Sequence, residues 1–181
     1  MSDLFAAKIK DFRLPRYNEL PTVGLYLEQV TKYVNGVLGS LGCPEMTSSM
    51  VSNYVKKGVL SPPIKKQYSA EQLAYLIFIG IAKSVMSMES ITGLFGMQKA
   101  SYTPEVAYDY FCNEFENILF FICGLKDTAD DIGSSHSEAK TMLRCTIVAA
   151  CNIIFVNNCF IELKNAEALG IDLDDEYITL E

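Results

Sequence analysis

TSSMVSNYVKKGVLSPPIKKQYSAEQ, Thr47 to Gln72, is the stretch on which the fold turns. Thr47 is a helix-capping residue, and a short helix after it runs to about Lys57. On that helix Ser49, Ser52, Asn53 and Lys56 recur at i, i+3, i+4 and i+7, so they share one polar face. Met50, Val51, Tyr54 and Val55 fall on the other side. Gly58 stands where a helix C-terminus calls for positive φ, and Pro62-Pro63 forbids helical continuation. Residues 59–68 are therefore a loop or a tight hairpin. Ser69-Ala70-Glu71-Gln72 is a capping box that opens a strongly apolar helix, Leu73 to about Val85.

A short helix with an apolar back and a front of small polar residues plus lysine suits the DNA major groove. Ser and Asn can hydrogen-bond base edges, and Lys can reach phosphate or guanine. A plain amphipathic surface helix carries a similar face. The charge around this one favours the first, though solvated lysines are common: Lys56, Lys57, Lys65 and Lys66 stand in a run with no acid between Glu45 and Glu71. One lysine pair ends the helix and the other lies on the following loop, an arrangement that grips phosphates on both sides of a groove. Expected base readers are Ser49, Ser52 and Asn53; expected backbone contacts are Lys56, Lys57, Lys65, Lys66 and Tyr68.

Working outward, helical spacing recurs nearly everywhere and period-two alternation nowhere, so the fold is expected to be all-α with any strand confined to residues 59–68. Residues 1–21, with Pro15 and Pro21, read as a short helix and an extended arm. Thr22 caps a helix from Val23 to about Leu41, ended by Gly42-Cys43-Pro44. Ser87 or Met88 begins another helix, with Ile91, Leu94 and Phe95 inward. Thr103-Pro104-Glu105 is a helix start with proline at the first position, running to Cys123 and stopping at Gly124. Residues 126–137 are a polar connection. A last long helix spans about Ser137 to Leu169, with Gly170 as its stop and an acidic tail, Asp172 to Glu181.

Composition narrows the function classes. The chain has 181 residues, half of them hydrophobic, and a net charge of −7. That charge is unevenly spread: residues 1–99 hold 11 Lys and Arg against 7 acids, residues 100–181 hold 4 against 15. One half can meet a phosphate backbone that the other would repel. The apolar run Cys145 to Ile161 is broken by Asn152, Asn157 and Asn158 and is shorter than the roughly 20 residues a span needs, so a buried helix is expected rather than a membrane segment. Met1-Ser2-Asp3 lacks the basic start of a signal peptide, which points to the cytoplasm. Six cysteines form no CxxC pair, and His136 is the single histidine; they are read as small buried hydrophobes without a metal. With no base beside a placed nucleophile, neither an enzyme nor a cofactor is expected.

Several motifs together carry a family resemblance. Tyr54-Val55-Lys56-Lys57-Gly58-Val59-Leu60-Ser61-Pro62-Pro63 resembles the MerR-type pattern of a tyrosine helix, Gly-Leu-Leu and proline. Tyr68-Ser69-Ala70-Glu71-Gln72-Leu73 resembles its exit from the wing, and Ser87-Met88-Glu89-Ser90-Ile91 its later helix start. Leu20-Pro21, Leu25-Tyr26-Leu27-Glu28-Gln29-Val30 and Met50 to Lys56 are similar to an uncharacterised bacterial family, a domain of unknown function with a MerR-like helix-turn-helix. The resemblance covers about residues 12–98. It implies a MerR-like winged helix-turn-helix with a very short wing over 1–99, followed by a C-terminal helical bundle over 100–181. MerR proteins carry Arg-Tyr-Tyr in the recognition helix; Ser52-Asn53-Tyr54 stands there in this chain.

The expected function is a dimeric, sequence-specific DNA-binding transcriptional regulator. Double-stranded DNA is the partner. The C-terminal half is apolar around much of two helices, which must be covered by the helices of residues 73–98, by a partner subunit in a homodimer, or by an unidentified small-molecule effector; a homodimer is expected. The alternative is a protein-interaction module that keeps the fold without binding DNA.

Overall fold

The computed structural model describes residues 2–132 and 137–168. The expected stop at Gly170, the acidic tail and His136 lie outside the described residues. Seven α-helices and one two-stranded sheet are formed within them: α1 (Ser2–Ile9), β1 (Leu25–Tyr26), α2 (Leu27–Leu38), α3 (Ser48–Lys56), β2 (Gln67–Tyr68), α4 (Ala70–Ala82), α5 (Met88–Ser101), α6 (Pro104–Ile122) and α7 (Glu138–Ala168). Short 3₁₀ turns occupy Tyr17–Glu19 and Gly39–Leu41. The expectation of an all-α fold is met, apart from the small sheet.

The helix starts follow local capping chemistry. Thr47, Ser69, Ser87 and Thr103 each accept a hydrogen bond from the backbone N–H three residues on, satisfying a donor that the first helical turn leaves open. Two expectations need correction. The helix placed at Val23 begins only at Leu27, and Leu25–Tyr26 is a strand outside 59–68, antiparallel to β2 with Leu25 opposite Tyr68 and Tyr26 opposite Gln67. The physical reason is the close approach of the two backbone segments at Gly24, where a Cβ would sit 2.8 Å from that of Gln67. Extended backbone there satisfies its polar groups across the sheet instead of along a helix.

The core is organised by α4. Ten of its residues, from Gln72 to Ala82, are buried on every side of the helix. α2 packs one flank of it through Val30, Val34 and Leu38, while α6 and α7 pack another. One hydrophobic cluster runs from Phe5 in α1 to Ile154 in α7, so residues on both sides of position 99 share a single interior.

The N-terminal arm is clamped to α6. Glu116 accepts the Leu14 N–H at 2.8 Å and both terminal nitrogens of Arg16 at 2.7 Å, and Asp109 accepts the Tyr17 N–H at 2.7 Å. These bonds replace the secondary structure that Pro15 denies the arm.

The long α7 was expected to be buried and is so along one stripe. Ile147, Ala150, Cys151, Ile154 and Asn158 face inward, and Asn158 donates from Nδ2 to the Leu41 carbonyl at 2.9 Å. Met142, Val148, Ile153, Val156 and Phe160 are exposed on the outer side. Glu138–Ala166 is long and apolar enough to cross a membrane by length and composition, with 28% of its most apolar window buried inside the protein.

Glu116 offers a test of the arm's docking. Glu116→Ala leaves the Leu14 N–H and the half-buried Arg16 guanidinium without their acceptor, and should lower unfolding free energy by about 1.5–3 kcal/mol. Urea unfolding measures it. Glu116→Gln, which keeps one acceptor oxygen, should lose less.

Candidate nucleic-acid interface

α3 is seated by its apolar side. Val51 is fully buried and Tyr54 5% exposed, while Ser49, Ser52, Asn53, Lys56 and Lys57 are exposed. Its approach is fixed from α2: Asn35 donates from Nδ2 to the Met46 carbonyl at 3.0 Å and accepts the Met46 N–H at 2.8 Å. This two-point bond makes the turn before α3 rigid. Asn158 of α7 holds the other end of the same turn at Leu41.

The helix ends as Gly58 allows. With φ of 73°, Gly58 donates to the Val55 carbonyl at 3.0 Å, and Val59 donates back to the Tyr54 carbonyl at 3.0 Å. These are the paired bonds of a Schellman stop. The chain then turns past Pro62-Pro63 into a tight hairpin, where Ile64 and Gln67 exchange N–H to carbonyl bonds of 3.1 and 2.9 Å. The two residues between them, Lys65 and Lys66, have φ of 50° and 64°. Positive φ at both central positions is the type I′ hairpin pattern, for which Asn-Gly is the relaxed choice. Lysine there is strained, and its side chains stand at the tip of the hairpin.

Gln72 ties this loop to α4. Its Oε1 accepts the Ser69 N–H at 2.8 Å, and its Nε2 donates to the Ser61 carbonyl at 2.7 Å. The capping box was legible in the sequence; the reach to Ser61 was not. Nor were Asn35 and Asn158, whose partners are distant in sequence and carry no motif.

The structure brings together seven of the eight expected contact residues as exposed side chains. Tyr68 is the correction: it is 5% exposed, packed in the core. Adjacent residues of a strand face opposite sides, so Gln67 is the more exposed one and Tyr68 supports the sheet from within. The serines differ from Asn53. The Ser52 hydroxyl donates to the Ser48 carbonyl at 2.9 Å, which leaves it free to accept only. Ser49 shares a hydrogen bond with Thr47 at 2.9 Å. Asn53, Lys56, Lys57, Lys65 and Lys66 have no side-chain hydrogen bond or ion pair among the described residues. By contrast Arg13 and Arg16 are held by Glu19 and Glu116.

Among the described residues no group of three His, Cys, Asp or Glu could hold a metal ion. Burial pushes the thiols of Cys43 and Cys123 up to about 11 and that of Cys112 up to about 12, so these three are protonated at neutral pH and poor nucleophiles.

The chain belongs to the family described as Domain of unknown function (DUF1836), which matches residues 15–111. That span begins in the clamped arm, includes α2 to α5 with the hairpin, and ends inside α6. No curated protein and no solved structure matches the chain.

The lysine hairpin predicts opposed effects on stability and binding. Replacing Lys65→Asn and Lys66→Gly together relieves left-handed strain and should raise unfolding free energy by about 1–2 kcal/mol. The same double variant should bind duplex DNA more weakly. Thermal unfolding and fluorescence anisotropy with a labelled duplex check the two halves independently.

Proposed function

We propose that this protein is a sequence-specific, dimeric DNA-binding regulator of transcription that works in the cytoplasm. In this reading α2 and α3 are a MerR-like helix-turn-helix, α3 enters the major groove, and the Ile64–Gln67 hairpin is a very short wing. The observation that carries it is the single exposed face made by Ser49, Ser52, Asn53 and Lys56, flanked by Lys57 and the strained Lys65-Lys66 tip. Five of its side chains have no hydrogen bond or ion pair among the described residues. An exposed helix face normally intersperses acids with lysines; no acid occurs from position 46 to 70.

The roles divide by chemistry. Asn53, with amide donor and acceptor both unengaged among the described residues, suits a two-point contact with adenine. Ser49 and Ser52 supply weaker contacts, Ser52 as an acceptor. The four lysines hold phosphates and carry no sequence information. Asn35, Gln72, Asn158 and buried Tyr68 keep the helix and hairpin in fixed relation.

Dimerisation is proposed through α7. Met142, Cys145, Ala149, Asn152 and Val156 are exposed at alternating spacings of three and four, the seam pattern of a helix that packs against another. A symmetric pair would present two α3 helices to two half-sites. A second reading, a protein-interaction module without DNA affinity, is favoured by the net charge of −7 and by the serine standing where MerR proteins carry arginine.

Two measurements test this. Against a duplex selected from a random pool, Asn53→Ala should lose about 1–3 kcal/mol and little on random DNA. Lys65→Ala and Lys66→Ala should weaken binding to all duplexes and flatten the salt dependence by roughly one unit per lost contact. Parent-like affinity in all three variants would remove this face as the reader, and no duplex binding even at low salt would favour the interaction module. For the assembly, light scattering should give twice the chain mass at tens of micromolar; Val156→Glu should give a monomer. A parent that is monomeric throughout that range contradicts the dimer.

A further inference from the structure

A cavity of about 170 Å³ lies between α4, α5, α6 and the first turns of α7. Its walls are aromatic and hold one another in place. Phe78 packs on Phe95 and Phe111 with ring centroids 5.5 and 5.1 Å apart, and Tyr75 on Phe95 at 4.5 Å. The cavity opens to solvent on one side, and an apolar cavity of about 150 Å³ is enough to take up a benzene ring. The mutual ring contacts keep this one from collapsing.

Its polar atoms sit among these rings. The Tyr75 hydroxyl donates to Gln98 Oε1 at 2.9 Å, which fixes that ring's orientation. Lys140 Nζ lies 5.1 Å from the centroid of Tyr110, another lining residue. Glu71 also lines the cavity, so an acid and a base are both present and neither sign of charge dominates. Predominantly apolar walls with a few polar groups are the usual build of a small-molecule site.

We propose that this cavity is a binding site for a small molecule with a single aromatic ring. The ring stacks among Phe78, Phe95 and Phe111. A polar substituent, hydroxyl or carboxylate, points to Gln98 and Lys140. The site joins helices on both sides of the α5–α6 junction, so an occupant braces α4 and α5 against α6 and α7. This binding does not depend on the DNA reading, because none of the lining residues belongs to the face built on α3 and the hairpin.

Fluorine NMR of para-fluorophenol and para-fluorobenzoate with the full chain tests it. Saturable shift or broadening is expected for at least one probe, together with a Tm that rises with probe concentration. Binding of the phenol alone assigns a neutral ligand; binding of the benzoate alone assigns an anionic one held by Lys140. Ala107→Phe on α6 and Ala139→Leu on α7 fill the cavity from opposite sides. Each should abolish binding while leaving the circular dichroism spectrum unchanged, and two variants guard against one failing to fold. Neither probe binding at millimolar concentration would overturn the proposal. So would binding that survives both fillings, since the ring would then lie elsewhere. Duplex affinity measured on the same samples reports separately on the DNA reading.

Discussion

The described residues are arranged around a helix that is buried over most of its surface. Ten of the thirteen residues of α4 are buried, and a helix apolar around most of its circumference is stable only when neighbours cover it. That requirement brings α2 to one flank and α6 and α7 to another. It also fixes the N-terminus of α4, because Ser69 and Gln72 must satisfy the backbone donors of its first turn. The hairpin enters α4 directly from Tyr68, so the position of the lysine tip is set by the burial of a helix it does not belong to.

The proposed DNA face is thus an outer surface supported from behind at three points. Asn35 grips Met46, Asn158 grips Leu41, and Gln72 grips Ser61. Each is a side-chain amide bonding the backbone of a loop that flanks α3 or the hairpin. Amides satisfy buried carbonyl and N–H groups without introducing charge. The consequence is a short helix of nine residues, too short to hold its shape alone, packed on α2 and flanked by loops that side chains of α4 and α7 hold. The strain retained at Lys65 and Lys66 fits the same picture: a relaxed turn would use residues that cannot reach a phosphate.

Much of this was legible in the sequence, because the signals were local. Thr47, Ser69, Ser87 and Thr103 act on donors within three residues, and Gly58 on carbonyls within five. Exposure of Ser49, Ser52, Asn53 and Lys56 followed from helical spacing alone. The misses share a non-local cause. Strand Leu25–Tyr26 is two residues long and shows no period; only its pairing with Gln67–Tyr68 defines it. Tyr68 looked like part of the basic surface because of its neighbours, whereas the pleat turns it into the core. The arm's carboxylate clamps and the amide at Asn158 join residues far apart in the chain, and single polar residues in apolar runs do not announce their partners. The match to the family over residues 15–111 places the hairpin and α3 inside a shared domain and α7 outside it.

The central claim is that one surface, α3 with the hairpin tip, meets duplex DNA while the rest of the chain stands behind it. Titrating isotopically labelled protein with a selected duplex and following backbone amide shifts addresses this directly. The account predicts perturbations concentrated at residues 48–57 and 64–67, with the outward faces of α5, α6 and α7 unmoved. Shifts confined to α6 and α7, or spectra that do not change as duplex is added at low salt, would contradict it.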